Sequence, residues 1–212
     1  GLANSGTDLD GILIRHPMAQ GLLSFKEGLF WALAWAFLAL IGAYILNPVC
    51  VLIFLGGCAL ETIYCLLWRI SPFRTFVSGA VKTTGAIAAV YAVDPNPSSL
   101  YLIVLFLLLF FWEIGGQNVP ADWADIEEDR RLQAQTIPVR FGTKGAAHIV
   151  LWTLILSMVI NQVLIAVSSS GYRLPMAVIS IVVGALLLLI PAVRLFKSHR
   201  RNDAMALFNK SS

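Results

Sequence analysis

The chain has 212 residues, 58% of them hydrophobic and only 13% charged, and its mean hydropathy is +0.79. Soluble domains are about half apolar and about a quarter charged, so this balance excludes an ordinary soluble enzyme and indicates a membrane protein. The net charge of +3 is uninformative as a total, and Cys50, Cys58 and Cys65 form no CxxC pair, so they read as small core residues rather than as disulfides or a zinc site.

In chain order, the first segment is polar. NSGTDLDG places Asn4 and Asp8 at i and i+4, one helical face, with Asp10 two residues on. RHPMAQGLLS, residues 15–24, follows as a basic turn segment at the membrane edge. The opening GLANSGTDLD has neither an initiator Met nor a signal peptide and reads as the start of a fragment. Apolar runs near the roughly 20 residues needed to cross a bilayer then predict six helices, at 27–46, 49–68, 76–93, 99–118, 145–168 and 174–194. Asn47 and Pro48 separate the first two. The turn cluster from Asp94 to Ser99 separates the third from the fourth, and Ser168 to Gly171 the fifth from the sixth. There is no repeat and no long soluble insertion, so residues 1–212 read as a single all-α membrane domain.

The basic residues set its orientation. Arg15, Lys26, Arg69, Arg74, Arg130, Arg131, Arg140, Lys144, Arg194, Lys197, Arg200 and Arg201 fall in one alternating set of polar segments, and the opposite set holds only Arg173. The positive-inside rule places the rich set in the cytoplasm. Both acidic stretches, 4–21 and 122–142, therefore face the cytoplasm, four spans apart.

The second stretch begins DWADIEED, five carboxylates in eight residues. If it is helical, Asp122, Asp125 and Asp129 share a face at i, i+3 and i+7, and like charges there repel by roughly a few tenths of a kcal/mol per pair. A hard divalent cation offsets that repulsion. Mg²⁺ takes oxygen ligands and typically bridges one or two carboxylates to substrate phosphates. The plainer alternative is a solvated helix start, favoured by the helix dipole and balanced by Arg130 and Arg131. Two such clusters on one membrane face could clamp a diphosphate between two cations.

Glu61, Lys82 and Glu113 lie inside apolar runs, where a central charge costs about 2.5–3.5 kcal/mol or more. Each falls within about 15 Å of the cytoplasmic face at helical rise. Lys82 then reads as a diphosphate ligand and Glu61 or Glu113 as a pocket-lining group; a Glu61–Lys82 ion pair between helices is the alternative. Tyr64, Arg69, Trp112, Trp123, Phe110 and Phe111 read as interfacial belt residues, although the aromatics could also wall an isoprenoid channel. Gly79, Gly85 and Ala86 predict close helix packing. No nucleotide-binding glycine loop, nucleophile–His–acid set or nucleic-acid signature is present.

On these motifs the chain resembles the UbiA-type prenyltransferases. That family's second loop runs D-x-x-D-x-E-G-D-R-x-x-G-x-x-T-L-P-V, then a short gap and Gly. Asp122, Asp125, Glu127, Asp129, Arg130, Thr136, Pro138, Val139 and Gly142 fit it in register. Asn4, Asp8, Pro17, Gly21 and Ser24 fit the first loop more loosely. Ser5 replaces an acid, Ile12 stands where the family's last Asp falls, and Gln133 and Gln135 replace a glycine and a basic residue.

The resemblance implies a UbiA-like bundle with about six of nine transmembrane helices present, two lacking before Gly1 and one after AMALFNKSS. It implies Mg²⁺ held by Asn4 and Asp8 and by Asp122, Asp125 and Asp129. Arg15, Lys82 and Arg130 become diphosphate contacts. Asp125, Asp129, Lys82 and Tyr64 become the catalytic set. The expected partners are a prenyl diphosphate, an aromatic, quinone-precursor or tetrapyrrole-like acceptor, and membrane lipid, in the cell inner membrane. Two alternatives stand beside it. One is a catalytically degenerate structural or pigment- and quinone-binding subunit of a larger membrane complex; the other is a membrane terpene cyclase.

Overall fold

The computed structural model describes residues 17–18, 20–168 and 171–212. All regular structure among them is helical. The chain divides into two compact units, Gly1–Val51 and Leu52–Ser212.

In the first unit, helix α1 (Phe25–Leu46) opens on a capping box. The Ser24 Oγ accepts from the Glu27 N–H at 3.3 Å, and the Glu27 carboxylate accepts from the Ser24 N–H at 2.9 Å. This reciprocal cap satisfies two donors that a helix start otherwise leaves open. The rest of α1 is apolar on every face, as suits a helix solvated by lipid. It stops at Asn47, whose Oδ1 accepts the Val49 N–H at 2.9 Å while Pro48 begins the next helix.

That helix, α2 (Pro48–Leu66), continues into the second unit and ends in the 3-10 turn Leu67–Arg69. There follow α3 (Arg74–Val93), α4 (Ser99–Trp112), a π-helical segment Glu113–Asn118, α5 (Val119–Ala124) and α6 (Ile126–Arg131). Then come α7 (Ile137–Val167), α8 (Arg173–Gly184), a second π-segment Ala185–Leu189, α9 (Ile190–Ser198) and α10 (Arg201–Ser211). Among the described residues six helical stretches are long and apolar enough to cross a membrane.

The spans match the expected ones with three adjustments. The fourth runs on to Ala124, so Asp122 is still in the helix. The fifth begins at Ile137 and kinks at Gly142, whose φ of 69° is the left-handed conformation that glycine adopts freely. The sixth runs Arg173–Ser198. The tail AMALFNKSS belongs to α10, which turns its buried Ala204 and Leu207 inward.

The core of this unit lies around the first π-segment and α5. Ile114, Val119 and Trp123 pack with Ala146, Val150 and Leu154 of α7, Leu195 of α9 and Leu207 of α10. Trp123 is thus a core residue and not part of an interfacial belt. Cys50 is buried, but Cys58 and Cys65 are exposed, so only the first is a core cysteine. Outward-facing Trp152, Val159, Val178 and Ile179 are exposed apolar groups, the pattern expected where the solvent is lipid.

Small residues let the helices approach. A Cβ on Gly79 would lie 2.7 Å from Phe110 Cδ2, whereas Gly85 has nothing within 4 Å, so only the former meets the packing expectation. A Cβ on Gly115 would lie 2.9 Å from Leu154 Cγ and 3.0 Å from the Val150 carbonyl oxygen. Gly115→Ala is expected to cost about 1–3 kcal/mol by overpacking, measurable as a lower melting temperature in detergent.

Candidate active site

The two segments flanking α3 and α6 are tied at one end of this unit by the Gln135 N–H, which donates to the Trp68 carbonyl at 2.8 Å. Here the acidic motif splits. Asp125 has φ −103° and ψ 13° and stands between α5 and α6, so Asp122, Asp125 and Asp129 do not share one continuous helix face. Among the described residues no group of three or more His, Cys, Asp or Glu side chains could hold a metal ion.

Asp122 is held by a neighbouring helix. Arg74, 7% exposed, opens α3 and donates from Nη2 to Asp122 Oδ1 at 2.9 Å. Its guanidinium also stacks over the Tyr64 ring, 4.7 Å from the centroid, a cation–π contact. A connected polar chain continues inward. Tyr64 Oη accepts from Asn118 Nδ2 at 3.3 Å, Ser78 Oγ accepts from the same nitrogen at 3.2 Å, and Ser78 donates to Glu113 Oε1 at 3.0 Å.

Several buried polar atoms at this site have no partner: Asp122 Oδ2, Asp129 Oδ2, Asn118 Oδ1, Arg74 Nε, Thr75 Oγ1 and Thr136 Oγ1. Buried polar groups are ordinarily satisfied by protein, water or a ligand, so these atoms are free to meet one of the latter two. Two unpartnered carboxylate oxygens suit a hard divalent cation, which needs one or two carboxylates and completes its shell with water and phosphate oxygens. These two oxygens are open to a hard divalent cation. Burial pushes the Asp129 carboxyl above the usual carboxylate range, and the neighbouring Thr136 hydroxyl and Arg74 guanidinium oppose that rise.

A basic cleft of about 450 Å³ opens on the same end, lined by Arg69, Arg130, Gln133 and Gln135 with Ala134 and Val139. Gln133 holds φ 58°, the left-handed region that costs a side-chain-bearing residue about 1–2 kcal/mol. The expected family glycine would adopt it freely. Arg130 pairs with Glu127 at 3.2 Å, both side chains largely exposed, a contact of little energetic weight.

The remaining expectations divide. Tyr64, Asp122 and Glu113 come together. Lys82 follows Arg74 and Ser78 at intervals of four on one face of α3. Glu61 faces outward and accepts from the Cys65 thiol at 3.9 Å. No ion pair joins it to Lys82, so that alternative is overturned. Asn4, Asp8 and Arg15 lie outside the described residues. Sequence reasoning missed Arg74, Ser78 and Asn118. Their signals were the repeat of four along α3 and the placement of Asn118 four residues before Asp122.

The sequence profile of the UbiA prenyltransferase family matches residues 8–212. Digeranylgeranylglyceryl phosphate synthase of Pyrococcus abyssi (strain GE5 / Orsay) is 29% identical over 137 residues, 63% of this chain and 47% of that protein. The chain thus spans about half the length of this curated relative. Two solved structures share its fold. One, from work on digeranylgeranylglyceryl phosphate synthase in membranes, has a TM-score of 0.64 at 14% identity, covering 92% of this chain and 67% of that one. The other, the apo structure of a UbiA homologue from Aeropyrum pernix K1, has a TM-score of 0.62 at 19% identity, covering 92% and 74%.

Proposed function

The chain belongs to the UbiA prenyltransferase family, an integral membrane family, and from that premise we propose that it transfers an isoprenyl group from a prenyl diphosphate to an electron-rich, lipid-soluble acceptor. The observation that carries this reading is the pair of buried, unpartnered oxygens, Asp122 Oδ2 and Asp129 Oδ2, in register with the family's second acidic motif.

In the transfer, the allylic C–O bond breaks, the diphosphate leaves with the electron pair, and the acceptor's nucleophilic atom bonds to the freed carbon and loses a proton. The aspartates would hold Mg²⁺, which would supply charge to neutralise the departing diphosphate. Arg74 occupies one oxygen of Asp122 and so leaves the other presented. Asp125, between the two short helices, would join Asp122 and Asp129 once its side chain moves, because no three such side chains are grouped to hold a metal ion among the described residues. Asn4 and Asp8 of the first motif would hold a second cation. Arg15, Lys82 and Arg130 contact phosphate, and Tyr64 fixes the inner wall. The apolar bundle excludes water from the allylic cation. The acidic loops face the cytoplasm of the cell inner membrane, as the arginine and lysine distribution favours.

The acceptor classes are an aromatic, a quinone precursor or a tetrapyrrole-like ring. The name of the Pyrococcus relative adds a glyceryl phosphate lipid. The test incubates the membrane-embedded chain with geranylgeranyl diphosphate, Mg²⁺ and each acceptor, with products identified by mass spectrometry. Acceptor-dependent diphosphate release and a prenylated product are expected. Release without an acceptor identifies a cyclase, and no release under any condition identifies a structural subunit; either overturns the transferase.

A further inference from the structure

Asn118 and Asp122 stand one helical turn apart on a common face. They are 8% and 9% exposed, and each leaves one oxygen without a partner. The orientation of the Asn118 amide follows from counting protons. Ser78 has one hydroxyl hydrogen, which it gives to Glu113 Oε1 at 3.0 Å. Its oxygen can then only accept from Asn118, so the atom 3.2 Å away is Nδ2. The same NH₂ group donates to Tyr64 Oη at 3.3 Å. Turning the amide over would set its carbonyl oxygen against the Ser78 oxygen, two acceptors facing each other. Oδ1 is therefore turned away from Ser78 and left without a partner, on a residue one helical turn before Asp122.

A π-helical turn makes this arrangement possible. The Val119 N–H bonds to the Ile114 carbonyl, the i→i+5 pattern, which narrows the angle between Glu113 and Asn118, and both reach Ser78. In a regular α-helix the two would diverge by about 140°.

We propose that Asn118 Oδ1 is a neutral ligand of the divalent cation bound by Asp122 and Asp129, and that Ser78 and Glu113 are positioning residues that fix its orientation. This rests on the reading of Asp122 and Asp129 as cation ligands given above. An amide oxygen is a hard ligand that adds no further negative charge to a site already crowded with carboxylates.

The test is Mn²⁺ binding by the full chain in detergent, followed by electron paramagnetic resonance without substrate. Asn118→Leu should weaken binding at least about tenfold, and Glu113→Gln should do so by a similar factor, because outer groups that orient ligands carry effects of that size. The Gln side chain can donate to Ser78, which frees the Ser78 proton for Asn118 and turns the amide round. Asn118→Asp keeps an oxygen in place and should bind at least as well as the parent chain. Asp129→Ala is the control for the underlying site. If it abolishes binding while Asn118→Leu and Glu113→Gln stay within about twofold of the parent, the inference is overturned and the proposed function stands. If the parent chain binds no Mn²⁺, or Asp129→Ala binds as the parent does, both fall. Melting curves without metal establish that each variant is folded, and Glu113→Gln, an isosteric change, keeps the test decisive should Asn118→Leu fail to fold.

Discussion

Asp129→Ala should lower prenyl transfer at least about a hundredfold, the scale on which losing one preorganised charge-stabilising group slows catalysis, and leave membrane insertion intact. Thr136 and Arg74 offset the burial of this carboxyl only in part, which lets the variant separate chemistry from folding. Deleting the carboxyl removes a buried charge that burial already disfavours, so the melting temperature should hold or rise. Asp125→Ala should lose activity to a similar degree. The measurement is diphosphate release from geranylgeranyl diphosphate by protein recovered in the membrane fraction. Near-normal turnover in either variant would sink the assignment of these carboxylates to the cation.

Breaking the Arg74–Asp122 pair should have the largest effect on stability. Both partners are buried, so Arg74→Met strands a carboxylate in a low-dielectric interior, at a cost of about 3–5 kcal/mol. It also removes the guanidinium stacked on Tyr64. The double variant Arg74→Met, Asp122→Leu replaces both charges with apolar groups and should recover most of that loss, since buried pairs are often neutral relative to a hydrophobic substitute. It should not recover transferase activity, because Asp122 Oδ2 is gone. Thermal melting in detergent and diphosphate release, measured on the same preparations, test the two halves separately. A single variant as stable as the parent would show that Asp122 is not held by Arg74.

Much of this was legible beforehand. Six spans followed from local hydropathy, with Asn47–Pro48 and the Asp94–Ser99 cluster marking breaks that the helices respect. The register from Asp122 to Gly142 carried the family, and the kink at Gly142 supplied a physical reason for its glycine. Arg74 was visible only as one more cytoplasmic-side charge. Nothing in its immediate neighbours says that it turns inward to meet a carboxylate 48 positions later. Trp123, placed at the membrane boundary by type, is enclosed by α7 and α10 instead.

The sequence by itself determined that this is a helical membrane protein, where its spans lie, and which loop bears the acidic motif. Those properties depend on the solvent a segment prefers and on the dihedral limits of a few Pro, Gly and Asn residues, and both are local. Tertiary structure decided which polar atoms meet. The break at Asp125 and the π-turn at Glu113–Asn118 each shift the angular register, so a 3.6-residue repeat projects the wrong faces. Only packing against α3 sets Asn118 on Ser78 and Asp122 on Arg74, because those partners lie 40 and 48 residues away in the chain.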